Sequence, residues 1–179
     1  MQKVRIFRAR GWRVLFLLLT VLLAGVIFYM SSEPAIESGE RSTTIAAEIL
    51  QIVHPAFETL PPQRQKAVLS SADHILRKTA HFGIFAVEGF LIRVALYRTR
   101  PRKFWNLPLA MAPCALLAVA NELHQRLSPG RSCSYLDMGI DTAGALAGAL
   151  AGSLACWMAE SLRVRRAYGE LTRRQKERK

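Results

Sequence analysis

Four apolar runs alternate with polar segments along the chain. The first covers residues 14–30 without interruption, and the others cover about 74–97, 105–125 and 135–159. Because a helix needs about 20 mainly apolar residues to cross the hydrocarbon of a bilayer, each run has approximately the length of a membrane span. The pattern therefore predicts an all-α integral membrane bundle of four transmembrane helices.

The first run also has features of a cleavable signal peptide, because a basic segment precedes it. It is longer than the usual hydrophobic core of such a peptide, however, and the residues from Ser31 to Ala35 offer no small-residue cleavage site. We therefore expect this run to be a retained transmembrane helix.

The segment between the first two spans, from Ser31 to about Asp73, is polar but has helical periodicity. Pro55 interrupts the periodicity, as proline breaks or restarts a helix. The apolar positions at roughly helical spacing are Ile45, Ile49, Ile52, Val53, Phe57 and Leu60. The sequence predicts an outward amphipathic helix that lies on the membrane surface, caps the bundle, or is exposed without a ligand role.

Basic residues are unevenly distributed around the predicted spans. The chain has net charge +12 and 51% hydrophobic residues. Five basic residues precede the first span, five lie between Arg93 and Lys103, and eight lie between Arg163 and Lys179, whereas seven fall in the remaining segments. Since basic residues accumulate on the cytoplasmic side, this pattern predicts that both termini are cytoplasmic.

The charge pattern divides the chain into three predicted parts. These are a basic cytoplasmic N-terminus at 1–13, a membrane domain at 14–159 and a basic cytoplasmic tail at 160–179. The basic excess is thus a signal for topology. No basic stripe with interleaved aromatic residues accompanies it, so no nucleic-acid partner is predicted.

Ionisable and amide side chains concentrate at the outward ends of the last three predicted spans. Charged groups at such positions are costly, and they mark candidate functional sites. Spacings of three and four residues place them on common helical faces. The set comprises Arg77, Lys78, His81, Glu122, Gln125, Arg131, Asp137 and Asp141.

A stripe of small residues continues the acidic face of the last span. Gly144, Gly148 and Gly152 follow Asp137 and Asp141 at helical spacing. Small residues four apart allow a neighbouring helix to approach closely. We expect this close approach to bring the acidic end of the span near the other polar residues.

Two interpretations of the polar set follow from the chemistry of its members. In one, Arg77 or Lys78 pairs with Asp137 or Asp141 and only holds the helix ends together. In the other, the site binds an anionic or glycosylated lipid headgroup, because guanidinium and ammonium groups bind phosphate and carboxylate. The ligand-binding candidates are Arg77, Lys78, Gln125 and Arg131.

Proton transfer on the ligand would need an imidazole or a carboxylate in the site. The catalytic candidates are His81, Glu122, Asp137 and Asp141. The chain has no H-E-x-x-H or comparable spacing, so neither a metal nor a cofactor is predicted. Its three cysteines, Cys114, Cys133 and Cys156, indicate no disulfide framework. Whether the site catalyses a reaction is open at this point.

The polar residues resemble two motifs of VanZ-like membrane proteins. Residues 77–85 are similar to that family's K-x-x-H-x-x-x-aromatic element, with Lys78, His81 and Phe85 in the matching places. The second element, E-x-x-Q…P-x-R…D…G, is matched by Glu122, Gln125, Pro129, Arg131, Asp137 and Gly144. The resemblance covers roughly residues 14–159. Asn121 stands where the family commonly has Asp, and Asp141 where it commonly has Asn.

The resemblance implies a multi-pass protein of the bacterial cytoplasmic (inner) membrane. The family's namesake is associated with reduced susceptibility to teicoplanin, a lipoglycopeptide that acts at the cell surface. The expected function is glycopeptide resistance through binding or modifying a surface lipid or cell-wall component, with a membrane lipid or envelope glycolipid as partner. The alternative is a non-catalytic assembly or scaffold protein whose polar cluster only holds the helices together.

Overall fold

The chain forms long helices joined by short connections. The computed structural model describes residues 2–97 and 106–177, and no strand occurs within these ranges. The helices are α1 (Gln2–Ser31), α2 (Ala35–Val53), α3 (Pro62–Ala95), α4 (Asn106–Gln125) and α5 (Tyr135–Lys176), with a 3₁₀ turn at Phe57–Thr59. The predicted all-α fold class is confirmed.

Three of the described helices are long and apolar enough to cross a membrane. They are α1 over Gly11–Ser31, α4 over Leu107–Gln125, and α5. Helix α3 has 34 residues, but its charged side chains, including Glu88 and Arg93, make it less apolar. The prediction of membrane-spanning helices is therefore confirmed for three helices, and α3 is not clearly a fourth.

Helix α3 is nevertheless the centre of the bundle, because α1, α2, α4 and α5 all pack against it. Its buried side chains include Phe85, Glu88 and Arg93. Phe85 is fully buried in a core that it shares with Ile27 of α1 and Cys114 of α4. Glu88 and Arg93 thus face other helices, which is where a membrane helix can carry charged residues.

The closest helix contact is between α3 and α5, as the small-residue stripe predicts. A Cβ atom added to Gly144 would overlap the backbone carbonyl of Phe82, and one added to Gly148 would overlap that of Ala86. Residues later in α3 contact residues later in α5, so the two helices run parallel. Only glycine lets the two backbones come this close.

The predicted helix between the first two spans is present as α2. It packs against α3 through Ala46 and Leu50, whereas Ile49 and Ile52 are exposed. The helix ends at Val53. Its end agrees with the interruption expected at Pro55, because a residue before proline is disfavoured in a helical conformation.

Helix α5 continues well beyond its apolar part. It has 42 residues, which corresponds to a length of about 63 Å. Its last 15 residues, from Leu162 to Lys176, are exposed, and Arg173 pairs with Glu177 across one turn at 3.1 Å. Arg, Glu and Leu favour helix, which explains why the predicted basic tail is helical as far as Lys176.

Substituting Gly148 tests the contact between α3 and α5. We expect Gly148→Ala to destabilise the protein by about 1–3 kcal/mol, because the added methyl group overpacks a backbone contact. The matched control is Gly139→Ala on the same helix, where the Cβ would meet no atom within 4 Å. Thermal unfolding of the purified proteins in detergent measures the difference. Equal unfolding temperatures for the two variants would contradict the close contact.

Candidate functional site

Polar side chains meet where α1 and α4 end and α5 begins, at a place that we call the polar end. All eight predicted site residues lie there, on α3, α4, α5 and the loop between α4 and α5. Contacts or close electrostatic neighbours link them to one another or to Ser31 of α1. The convergence expected from helical spacing is therefore present in the structure.

Glu122 anchors the start of α5. Its side chain is fully buried, and Oε2 accepts a hydrogen bond of 2.9 Å from the backbone N–H of Ser134. Ser134 is the N-cap of α5, and its Oγ accepts from the N–H of Asp137 at 3.3 Å. These bonds occupy N–H groups that a helix start leaves without intrahelical partners. One oxygen of Glu122, Oε1, is buried without a hydrogen bond.

Asp141 is the buried carboxylate with the fewest partners in this region. It is 0% exposed, and neither of its oxygens has a hydrogen bond among the described residues. The Nδ1 atom of His81 lies 3.4 Å from Oδ1 of Asp141. Because a buried carboxylate without donors is costly, His81 is the group that can compensate it, by carrying a proton on Nδ1.

Lys78 and Asp137 form an ion pair between α3 and the first turn of α5. Both side chains are about three-quarters buried. Asp137 also lies near the N-terminus of α5, where the helix dipole favours negative charge. For these two residues the geometry is that of the ion-pair interpretation.

Ser31, the last residue of α1, joins α1 to α4 through two hydrogen bonds and to the loop after α4 through a third. Its Oγ donates to Oδ1 of Asn121 at 2.5 Å and accepts from Nε2 of Gln125 at 3.4 Å. Its carbonyl oxygen accepts from Oγ of Ser128 at 2.9 Å. Gln125, predicted to bind a ligand, thus has a partner within the bundle. The sequence reasoning missed these pairings, since Ser31 was visible only as the polar residue that ends the first apolar run.

A cleft of about 280 Å³ opens beside the polar end, between α1, α2 and α3. Of the eight predicted site residues, Arg77, His81 and Arg131 line it. Its lining is polar toward the loop between α4 and α5, where these three residues lie with Ser31 and Asn121. The rest of the lining is contributed by Ile27, Met30, Glu33, Ser38, Arg41, Ser42, Ile45, Leu76, Ala80, Ile84 and Phe85.

Arg131 lies at the polar side of this cleft with part of its hydrogen-bonding capacity unused. Its Nη2 donates to Oγ of Ser38 at 2.8 Å, whereas its buried Nε has no acceptor among the described residues. Burial lowers the pKa of the Arg131 guanidinium, the neighbouring Arg77 lowers it further, and Glu33 and Glu122 oppose the shift. Arg77 and Arg131 therefore both place positive charge on the wall of the cleft.

The carboxylate nearest to these arginines on the cleft wall, Glu33, is already paired with Arg41 of α2. Arg77 has no ion-pair or hydrogen-bond partner within the part of the chain that the structure describes. The contribution of α2 to the cleft was not foreseen from the sequence. Its signal was the spacing of Ser38, Arg41 and Ile45, which places three cleft residues on one helical face.

Comparison with known proteins identifies the family of the chain. No curated protein and no solved structure matches the chain. The family model described as VanZ/LLP1 matches residues 16–156, a range that contains every predicted site residue and the whole polar end. Since this match covers most of the sequence and three of its helices can cross a membrane, the chain is a membrane protein and belongs to the VanZ/LLP1 family.

Proposed function

We propose that the chain acts in the bacterial cell envelope by binding or modifying a surface lipid or a cell-wall component at the polar end, and that it thereby contributes to teicoplanin-type glycopeptide resistance. The observation that carries this proposal is that six of the nine buried side-chain atoms without a hydrogen bond, among the described residues, lie at the polar end. They include Asn121 Nδ2, Glu122 Oε1, Arg131 Nε and both oxygens of Asp141. Buried polar groups of a folded protein are normally paired, and unpaired ones cluster at sites of function.

The proposed topology has four spans, with α3 as the second, in the cytoplasmic (inner) membrane. Ser31 of α1 contacts Asn121 of α4, so both helices end at the polar end. Lys78 of α3 and Asp137 of α5 pair at the polar end, and the residues that follow them lead away from it. Helices α3 and α5 therefore run opposite to α1 and α4. Alternating directions are what four consecutive spans require. The basic segments at 93–103 and 163–179 then lie with the N-terminus in the cytoplasm, and the polar end faces outward.

Labelling of the native cysteines tests this topology. Cys133 is partly exposed in the loop between α4 and α5, whereas Cys114 and Cys156 are buried. We expect a membrane-impermeant maleimide to label the protein in intact cells, and Cys133→Ser to abolish that labelling. Labelling of Cys133 only after the membrane has been permeabilised would invert the orientation.

The chemistry proposed for the site uses Asp141 and His81. The carboxylate of Asp141 lies behind His81, and His81 lies on the cleft wall. A histidine oriented by a buried carboxylate can donate or accept a proton at its other ring nitrogen. This pair is therefore the part of the site that we propose to act on a ligand in the cleft.

Replacing Asp141 by Ala separates function from stability. We expect Asp141→Ala to return the teicoplanin susceptibility of an expressing host to that of cells without the protein, because His81 loses the carboxylate that orients it. The unfolding temperature should change little, since the desolvation cost of the buried carboxylate is removed together with its contact to His81. Growth inhibition and thermal unfolding measure the two quantities.

The matched control for this experiment is Glu48→Ala, which also removes one carboxylate but at an exposed position in the middle of α2. It should change neither susceptibility nor stability. A loss of folded protein in Asp141→Ala that parallels the loss of protection would assign Asp141 a structural role and count against the proposal.

The second candidate function is a scaffold whose polar cluster only holds the helices together. A single ion pair, between Lys78 and Asp137, favours it. Lys78 and Asp137 occupy each other and do not line the cleft. We expect Lys78→Met to destabilise the protein by about 1–3 kcal/mol, because it leaves the Asp137 carboxylate unpaired. The double variant Lys78→Met/Asp137→Asn should recover most of this stability.

The same double variant should also retain protection against teicoplanin. Thermal unfolding and growth inhibition, measured on both variants, check the two expectations. If the stable double variant lost protection, Lys78 or Asp137 would contact the ligand directly, as the sequence reasoning allowed.

A further inference from the structure

The cleft between α1, α2 and α3 divides into a cationic part and an apolar part. Its cationic part contains Arg77 and Arg131, and its apolar part contains Ile27, Ile84 and Phe85. A ligand that fills both parts must itself carry an anionic group next to a hydrocarbon chain. This combination is characteristic of membrane lipids.

The charges of the lining favour a ligand with net negative charge. Three arginines line the cleft, at positions 41, 77 and 131, against one carboxylate, Glu33, which Arg41 already engages. Arg77 and Arg131 are close enough to repel each other. A phosphate between them would relieve this repulsion, and guanidinium groups bind phosphate oxygens in pairs.

The hydrogen bonds around Arg131 leave room for such a group. Its Nη2 is held by Ser38 of α2 at 2.8 Å, which directs the guanidinium across the cleft. Its Nε is buried and has no acceptor among the described residues. An acceptor supplied by a ligand would satisfy this N–H, as is usual for buried polar groups.

The size and the open side of the cleft indicate how a lipid would lie in it. A volume of about 280 Å³ is at the lower limit for a small-molecule site, so it holds a headgroup and the first part of one chain. Met30 of α1 lines the cleft and is 50% exposed. It marks an open side next to the exposed apolar surface of α1, where the rest of the acyl chain enters the bilayer.

We propose that this cleft binds one anionic phospholipid, with its phosphate at Arg77 and Arg131 and an acyl chain along Ile27 and Ile84. This inference rests on the proposed function and names the ligand class of its site. His81 then faces the headgroup, with Asp141 behind it. Helix α2 supplies the outer wall of the site through Ser38 and Ile45.

Lipid binding to the purified full-length protein in detergent tests the proposal. The probes are phosphatidylglycerol and phosphatidylcholine with identical acyl chains, and native mass spectrometry measures the bound fraction. We expect phosphatidylglycerol to bind about tenfold more tightly or better, because only it brings net negative charge to the two arginines. Equal binding of the two lipids would overturn the anionic selectivity.

Two substitutions probe the cationic part against a matched control. Arg77→Gln and Arg131→Gln should each weaken phosphatidylglycerol binding about tenfold or more. Arg126→Gln, an exposed arginine in the same loop that does not line the cleft, should leave binding unchanged. Wild-type affinity in both cleft variants would overturn the site.

Occupation of the cleft is tested independently by Ile45→Trp on α2, where the exposed position makes misfolding less of a concern. The larger side chain should narrow the cleft and weaken phosphatidylglycerol binding about tenfold. Glycerol 3-phosphate, which has the anionic head without a chain, should not displace the lipid at equal concentration. Displacement by it would show that the cleft takes a soluble phosphate ester, and full lipid binding by the Ile45→Trp variant would place the lipid outside the cleft. Either result would overturn the lipid assignment.

The susceptibility assay separates failure of this inference from failure of the proposed function. If Arg131→Gln loses lipid binding but keeps protection against teicoplanin, the lipid site stands and the proposed function fails. If Arg131→Gln loses protection while the wild-type protein binds neither lipid, the proposed function stands and the lipid site fails.

Discussion

The backbone contact between α3 and α5 is the constraint on which the polar end depends. Gly144 and Gly148 let α5 lie directly against the carbonyl groups of Phe82 and Ala86. Asp141 and Asp137 lie one and two turns before Gly144. Because the two helices are parallel and in direct contact, these carboxylates meet the residues of α3 just before Phe82. That register produces both the Lys78–Asp137 ion pair and the approach of His81 to Asp141.

The polar residues at this end serve two different purposes. One group completes the structure: Glu122 binds the N-terminus of α5, and Ser31 joins α1 to α4. The other group, Arg77, Arg131 and His81, borders the cleft, and the buried Nε of Arg131 has no acceptor there among the described residues. An unsatisfied polar group costs more inside a membrane bundle than in water, so its retention beside a cavity supports the proposed ligand.

Much of the fold was predictable because it arises from local patterns. The apolar runs identify α1, α4 and α5, and the periodicity around Ile45 and Ile49 identifies α2. The glycine spacing predicted the close contact of α5 with a neighbour. Helix α3 was harder to classify from the sequence, because Glu88 and Arg93 lower its apolar content. These two charged residues are tolerated because they are buried against neighbouring helices.

The sequence by itself determined the helices, their polar ends and the family, since periodicity, charge and motif spacing are properties of each segment alone. Only the tertiary structure decided how the polar residues divide among partners. Lys78 turned out to face Asp137, whereas Arg77, one residue earlier, lines the cleft with Arg131. It also decided that α2 forms the cleft wall through Ser38. These outcomes depend on which helix faces meet, and that is set by packing between segments far apart in the chain.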